Sequence, residues 1–301
     1  MTKLEIEYLL PTWSEKLGIY RERVRNFWKI YSTSKMGIVG LGLVLSFFII
    51  AVFASLIAPY DPYKFVGPPL LKPTESYILG TDHLGRDIFS RIIYGARISL
   101  LIGLVAAAIS VGIGTIIGLT SGYFGGFLDA VLMRITDMFI TMPTLPLMLI
   151  LASILGKGLI NIIIVISILY WTPTARMVRS QTISLKERPF VEASKAVGCS
   201  DLRIIGRHIA PNVFPLVFAN AIITIVDAIL AEAGLSFLGL GDPFQPSWGM
   251  VLHYANLAGA VVHGLWWQII PPGACIMLLV LGFALVSYSL DQILNPRLRK
   301  R

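Results

Sequence analysis

Long uncharged apolar runs alternate along the chain with short polar segments rich in lysine and arginine. A helix needs about 20 mainly apolar residues to cross a hydrocarbon core of roughly 30 Å, because each residue adds 1.5 Å. The first such run, Met36 to Tyr60, holds no charged residue, and the second is uncharged from Ile98 to Leu128. A third lies between Asp137 and Lys157 and a fourth between Lys157 and Arg176. The fifth runs from Ile209 to about Leu230 with Asp227 inside it, and the last from about Ile269 to Leu290. The pattern predicts an all-α membrane protein with six transmembrane helices.

Composition narrows this further. Of 301 residues, 55% are hydrophobic and only 14% charged, with a mean hydropathy of +0.76, which excludes an ordinary soluble domain. The net charge of +8 is not a nucleic-acid signal here, since the basic residues of membrane proteins gather on the cytoplasmic side. Lys3, Lys16, Arg21, Arg23, Arg25, Lys29 and Lys35 precede the first run, Arg134 lies between the second and third, and Arg297, Arg299, Lys300 and Arg301 follow the last. The segment between the fourth and fifth runs adds Arg176, Arg179, Lys186, Arg188, Lys195, Arg203 and Arg207. Only Lys64, Lys72, Arg86, Arg91, Arg97 and Lys157 fall on the other side, so both termini are expected in the cytoplasm. The first apolar run starts too late and is too long for a cleavable signal peptide. Cys199 and Cys275 match no metal-ligand spacing and read as unpaired.

Local patterns refine the spans. Tyr20, Val24, Phe27, Trp28 and Tyr31 recur at helical spacing with Arg21, Arg25 and Lys29 between them, as in a helix lying along a lipid interface. Ser110, Gly114, Gly118, Gly122 and Gly126 are each four apart, a ridge that lets helix backbones approach closely. From Pro189 to Asn212 the chain reads as a short helix–turn–helix. Pro189 suits a first helical turn, Gly198 a position just past a helix end, and Ser200 a cap for the second helix. Phe190, Ala193 and Val197 share one apolar face, and Leu202, Ile205 and Ile209 another; such a surface is suited to another protein's groove.

This loop resembles the coupling motif of ABC-importer permeases, in which Glu-Ala-Ala is followed by Gly and then by Ile-x-Leu-Pro. Glu192, Ala193, Gly198 and Pro211 stand in matching places, while Ser194, His208 and Ala210 depart from it. Further segments resemble the dipeptide and oligopeptide branch of that family. They are APYDP from Ala58, LGTDHLGRDIFSRIIYGARISL from Leu79, SGYFGG from Ser121, MRITD from Met133, EAGLSFLGLG from Glu232 and PSWG from Pro246. Near the end, Asn295-Pro296-Arg297 replaces the usual Asp-Pro-Arg. The likeness extends from roughly Phe27 to the C-terminus.

The resemblance implies a type I ABC importer permease fold in the inner membrane, with a cytoplasmic tail over 1–35 and a first helix over 36–60. An external loop over 61–97 and a core domain over 98–301 follow, with the coupling loop at about 186–212. It implies no catalysis and no cofactor in this chain, with ATP and Mg²⁺ held by partner subunits. The partners implied are a similar second permease, two cytoplasmic ATPases, an external substrate-binding protein and membrane lipid. Small peptides are the expected substrate; nickel chelates and oligosaccharides are carried by sister permeases. Glu192, Ala193, Gly198, Arg203 and Pro211 are the expected ATPase-coupling residues.

Asp227, Glu232 and Trp248 are the candidates for the pathway. Counted from a span beginning at Pro211 or Pro215, Asp227 lies past the midplane, where a lipid-facing carboxylate is costly. It is therefore expected against water or a partner helix, and Glu232, further out, is expected within reach of water. The loop from Gly241 to Gln268 is expected outside. Its Trp248, Trp266 and Trp267 close over the pathway or anchor at the interface.

Three rival readings are weak. Gly80 to Asp87 approaches a phosphate-binding loop but ends in Arg86-Asp87, without the required Lys and Ser or Thr. His253 and His263 share one loop, which leaves room for a metal role, but the four histidines form no tight ligand spacing. An ion-coupled carrier, for which Asp227 and Glu232 would serve, usually shows internal repeats that are not visible here.

Overall fold

The computed structural model describes residues 18, 21, 22, 25 and 28–294, so Tyr20, Val24 and Phe27 of the expected interfacial helix lie outside the described residues, as do Asn295 to Arg301. α1 spans Lys35–Val52 and continues into a short α2, Ala54–Ile57. α3 spans Ile88–Phe124, α4 Gly126–Thr141, α5 Thr144–Leu155, α6 Leu159–Leu169 and α7 Thr172–Lys186. α8 is Pro189–Ala196, and α9 is a continuous helical run from Asp201 to Phe237. α10, Trp248–Leu257, and α11, Trp266–Leu294, complete the chain. No strand occurs among the described residues beyond one isolated bridge between Thr81 and Asp87.

Five helical units are long and apolar enough to cross a membrane: α1, α3, α6 with α7, α9 and α11. A sixth crossing is available if α4 and α5, bent by 95° around Met142 and Pro143, form one broken span. The count of six is thus met only through a broken helix. Proline 143 cannot donate a backbone bond and fixes its own φ, so the chain bends there instead of running straight from Asp137.

Two boundaries differ from expectation. α3 begins at Ile88, inside the stretch expected as loop up to Arg97, because Asp87 caps it: its Oδ2 accepts from Ser90 N at 2.7 Å. The same helix ends at Phe124, since Gly125 adopts φ 68° and starts a new direction. Gly126 therefore belongs to α4, and a Cβ on it would meet nothing within 4 Å outside its own helix, so it is not part of the ridge.

At 37 residues, α3 and α9 are each about 55 Å long, well beyond a 30 Å hydrocarbon core. Both must project from it. At one end, Ser90 Oγ of α3 accepts from Tyr60 N, Trp248 Nε1 donates to Ile92 O, and Gln268 Nε2 donates to Thr81 O. At the other, Tyr123 of α3 bonds Asp201 of α9, while Gly37 of α1 sits against Ser289 of α11. The start of α1 and the end of α11 thus share the end that carries α8.

The remaining ridge residues explain the central packing. A Cβ on Gly114, Gly118 or Gly122 would lie 2.4–2.8 Å from atoms of α7 and of Trp171 just before it, including the carbonyl oxygens of Trp171, Ala175 and Arg179. Between lipid tails, apolar side chains gain little by leaving one another's company, and close backbone contact is what holds helices together. A Cβ on Gly112, on the same helix, would meet nothing within 4 Å. Gly118→Ala is expected to lower stability by about 1–3 kcal/mol through overpacking. Gly112→Ala is expected to be neutral or to stabilise by up to about 1 kcal/mol through helix propensity. Thermal unfolding of the two variants in detergent checks the order; the reverse order would contradict the packing.

Candidate functional site

The helix–turn–helix forms largely as its sequence dictates. Pro189 opens α8, and Gly198 closes it at φ 79°, a conformation that favours glycine. Cys199 N donates to Ser194 O at 3.1 Å and Gly198 N to Lys195 O at 2.9 Å, the two bonds of a Schellman ending. Ser200 stands at the start of α9 with extended backbone, but its side chain makes no capping bond.

From Asp201 the helix runs through a π turn, Ile205–Ile209, and then through Pro211 and Pro215 without a break. The fifth span therefore does not start at either proline. Pro211 has no N–H to offer the carbonyl four residues back, and the wider turn just before it accommodates that loss.

The two apolar faces divide in a way the spacing did not reveal. Val191, Ile204 and Ile209 are fully buried, packing with Val178, Val213 and Val217. Burying each apolar side chain in this water-facing overhang stabilises by about 1.5–3 kcal/mol. Val197 and Leu202, by contrast, are 79% and 81% exposed, and Phe190 is 42% exposed. Glu192, Ala193, Gly198, Arg203 and Pro211 are all exposed on the same projecting segment. Glu192 also lines a cleft with Ser121, Gly122, Gly125 and Lys186. Two of the three departures from the motif meet each other: Ser194 Oγ lies 3.4 Å from His208 Nε2.

The three pathway candidates fare differently. Asp227 is half-buried on α9, between exposed Ile223 and Leu230 on the same helical face. Among the described residues it makes no hydrogen bond or ion pair, although Tyr170 lies within its electrostatic reach. Glu232 is fully buried, contrary to its expected contact with water. Its Oε1 accepts from Ser236 Oγ at 2.7 Å and its Oε2 from Ser99 Oγ at 3.2 Å. These bonds tie α9 to α3 and satisfy a carboxylate that is otherwise costly to bury.

Trp248 is likewise fully buried, neither at a water interface nor lining an opening. Its Nε1 donates to Ile92 O at 2.9 Å, its backbone N to Ser99 Oγ at 3.3 Å, and its ring meets Phe47 edge-on. Trp267 is 4% exposed, and only Trp266, at 53%, keeps the exposure of an interfacial ring. Sequence gives side-chain type but not which tertiary carbonyl lies 156 residues away, so the indole and the carboxylate were both misplaced.

The segment Gly80 to Asp87 is a built structural turn. Asp82 Oδ1 accepts from the N–H groups of Leu84 and Arg86, and Asp82 Oδ2 pairs with Arg86 Nε at 2.7 Å. Arg91 reaches the same carboxylate at 3.7 Å and donates to Pro62 O. Its carboxylates take the backbone N–H groups that a phosphate would need. Among the described residues no group of three His, Cys, Asp or Glu could hold a metal ion. His253 spends Nδ1 on Phe237 O at 2.8 Å. Cys199 and Cys275 are both free thiols.

With both native cysteines replaced, cysteines at 197 and 202 are expected to react rapidly with an aqueous maleimide in the isolated subunit. Cysteines at 191 and 204 are expected to resist it until the protein is denatured. Equal rates at all four positions would contradict the division of faces.

Comparisons with known proteins agree with this arrangement. Residues 114–300 match the family model described as binding-protein-dependent transport system inner membrane component. Residues 23–73 match the N-terminal TM domain of oligopeptide transport permease C. The dipeptide transport system permease protein DppC of Alkalihalophilus pseudofirmus is 38% identical, over 91% of this chain and 90% of its own. The oligopeptide transport system permease protein OppC of Bacillus subtilis is 36% identical, over 95% and 92%. The glutathione transport system permease protein GsiD of Escherichia coli is 35% identical, over 91% and 90%. In fold, a chain of the inward-facing MetNI methionine ABC transporter superposes with a TM-score of 0.53 at 20% identity, covering 71% of this chain and 98% of its own. The apolar helices, the projecting helix–turn–helix and these matches together establish that the chain belongs to the family of binding-protein-dependent transport system inner-membrane components, and that it is a multi-pass membrane permease subunit.

Proposed function

We propose that this subunit forms half of the translocation pathway for small peptides in an ATP-driven importer. The observation that carries the reading is the exposed turn built from Glu192, Ala193, Gly198 and Leu202, standing on a buried footing and projecting beyond the apolar span. A surface of this kind is what an ATPase subunit could grip. Relatives named for dipeptide, oligopeptide and glutathione transport favour peptides over nickel chelates or oligosaccharides.

In this reading a similar second permease completes the pathway, two ATPases hold ATP and Mg²⁺, and an external binding protein delivers the substrate. The turn then faces the cytoplasm together with both termini, as the basic residues favour. Residues 1–35 form a cytoplasmic tail, α1 a peripheral first helix, and the loop ending at Asp87 lies outside. Closure of the ATPases on ATP would draw the turns together and rotate the permease halves, a two-state change biased by ligand. Glu192, Ala193, Gly198, Arg203 and Pro211 serve coupling, and Asp227 serves the pathway. Glu232 and Trp248 brace the outer end.

Reconstitution tests the whole reading. Labelled dipeptide should enter vesicles only with binding protein outside and ATP available to the ATPases; uptake driven by an ion gradient without ATP would overturn it. Gly198→Arg adds a long side chain at a positive φ where nothing lies within 4 Å, so the subunit should still insert. Uptake should fall at least about tenfold, a loss of roughly 1.4 kcal/mol in coupling, with less ATPase recovered in a pull-down. Normal assembly and uptake would remove the docking assignment. Asp227→Asn keeps size and hydrogen-bonding capacity but removes the charge. It should reduce uptake of peptides with a free amino terminus several-fold, by the order of 1 kcal/mol, and spare amino-blocked ones. An equal effect on both classes would place Asp227 outside the pathway.

A further inference from the structure

One aromatic residue that the coupling motif does not include joins α3, α7, α8 and α9 at the projecting end. Tyr123, next to last in α3, is 3% exposed. Its hydroxyl donates to Asp201 Oδ1, in the first turn of α9, at 2.5 Å. The ammonium groups of Lys186, ending α7, and Lys195, within α8, lie 5.6 and 5.3 Å from the centre of its ring. Cations at that distance from an aromatic face are attracted by the ring's electron density. Tyr123 also belongs to the buried apolar cluster that holds Val191 and Ile204, the footing of α8 and α9.

α3 is in turn one uninterrupted helix without proline from this point to Asp87. Its outer end receives Trp248 at Ile92 O, 31 residues and about 46 Å from Tyr123. Along the way Gly114, Gly118 and Gly122 lie directly on the backbone of Trp171 and α7.

We propose that Tyr123 is the joint that makes α3 follow the turn between α8 and α9, a positioning residue that carries movement of that turn to the outer end of the pathway. The proposal rests on the reading of this turn as the ATPase-docking surface. Tyr123 touches neither substrate nor nucleotide in this assignment; its hydroxyl fixes α9, and its ring fixes α7 and α8, to the tip of α3. A push on the turn therefore displaces α3 lengthwise or in tilt and does not dissipate in a loose loop.

The test uses the whole transporter in proteoliposomes, with Tyr123→Phe, Tyr123→Leu and Asp201→Asn, measuring substrate imported per ATP hydrolysed. Tyr123→Leu removes both the hydroxyl and the cation-binding ring, and it should lower that ratio roughly tenfold while ATP is still hydrolysed. Tyr123→Phe keeps the ring and should fall between Leu and wild type. Asp201→Asn should resemble Tyr123→Phe, and combining the two should be no worse than either alone, because both weaken one bond. A residue that merely supports folding would reduce the amount of assembled complex and leave the ratio per complex unchanged, and that result overturns the proposal. Val197→Cys cross-linking to the ATPase separates the two levels of inference. A cross-link with an unchanged ratio would refute the joint and leave docking intact, whereas no cross-link would refute docking and the joint with it. If Tyr123→Leu fails to insert, Tyr123→Phe and Asp201→Asn decide the matter.

Discussion

Contact between the backbones of α3 and α7 is the constraint on which the other placements rest. Three glycines at four-residue spacing bring α3 against the carbonyl oxygens of Trp171, Ala175 and Arg179, closer than any side chain would allow. In lipid this contact does what burial from water does in a soluble core. Because α3 is fixed there, both of its ends become reference points: one receives Trp248 and Ser99's partners, the other Tyr123's.

The interior polar groups follow the same logic. Glu232 lies between α9 and α3, where serine hydroxyls accept the task of satisfying its oxygens. The turn ahead of α3 holds Asp82 between Arg86 and Arg91 and caps α3 with Asp87. Glu232 and Asp82 have both oxygens bonded and Asp87 bonds through Oδ2, all in places shielded from water, and they fix where a long helix begins or makes its contacts. Asp227 is the exception, a half-buried carboxylate without a bonded partner among the described residues.

Much of this was legible in the sequence, for identifiable reasons. Uncharged runs long enough to cross a membrane can do little else, so most spans were readable from length alone. Pro189 and Gly198 act through their own backbone restrictions and mark α8 without help from tertiary contacts. What failed depended on partners far away in the chain. Gly126 kept the four-residue spacing, yet Gly125 turned the backbone before the ridge could reach it. Trp248 resembled an interfacial ring until Ile92 O took its indole, and Glu232 looked accessible until Ser99 and Ser236 enclosed it. Tyr123 was visible only as part of SGYFGG, since neither lysine nor Asp201 stands near it in sequence.

The divided apolar faces of α8 and α9 carry a genetic consequence. Val191, Ile204 and Ile209 belong to the subunit's own interior, while Phe190, Val197 and Leu202 are exposed on the face proposed for docking. Lesions in this one short stretch therefore fall into two complementation classes. Inward changes deplete the subunit itself and leave a partner's copy free to replace it. Outward changes leave a stable, abundant subunit that occupies the complex unproductively and so suppresses the wild type when both are expressed. Neighbouring codons, sometimes adjacent ones such as those for Phe190 and Val191, should then differ between recessive and dominant behaviour.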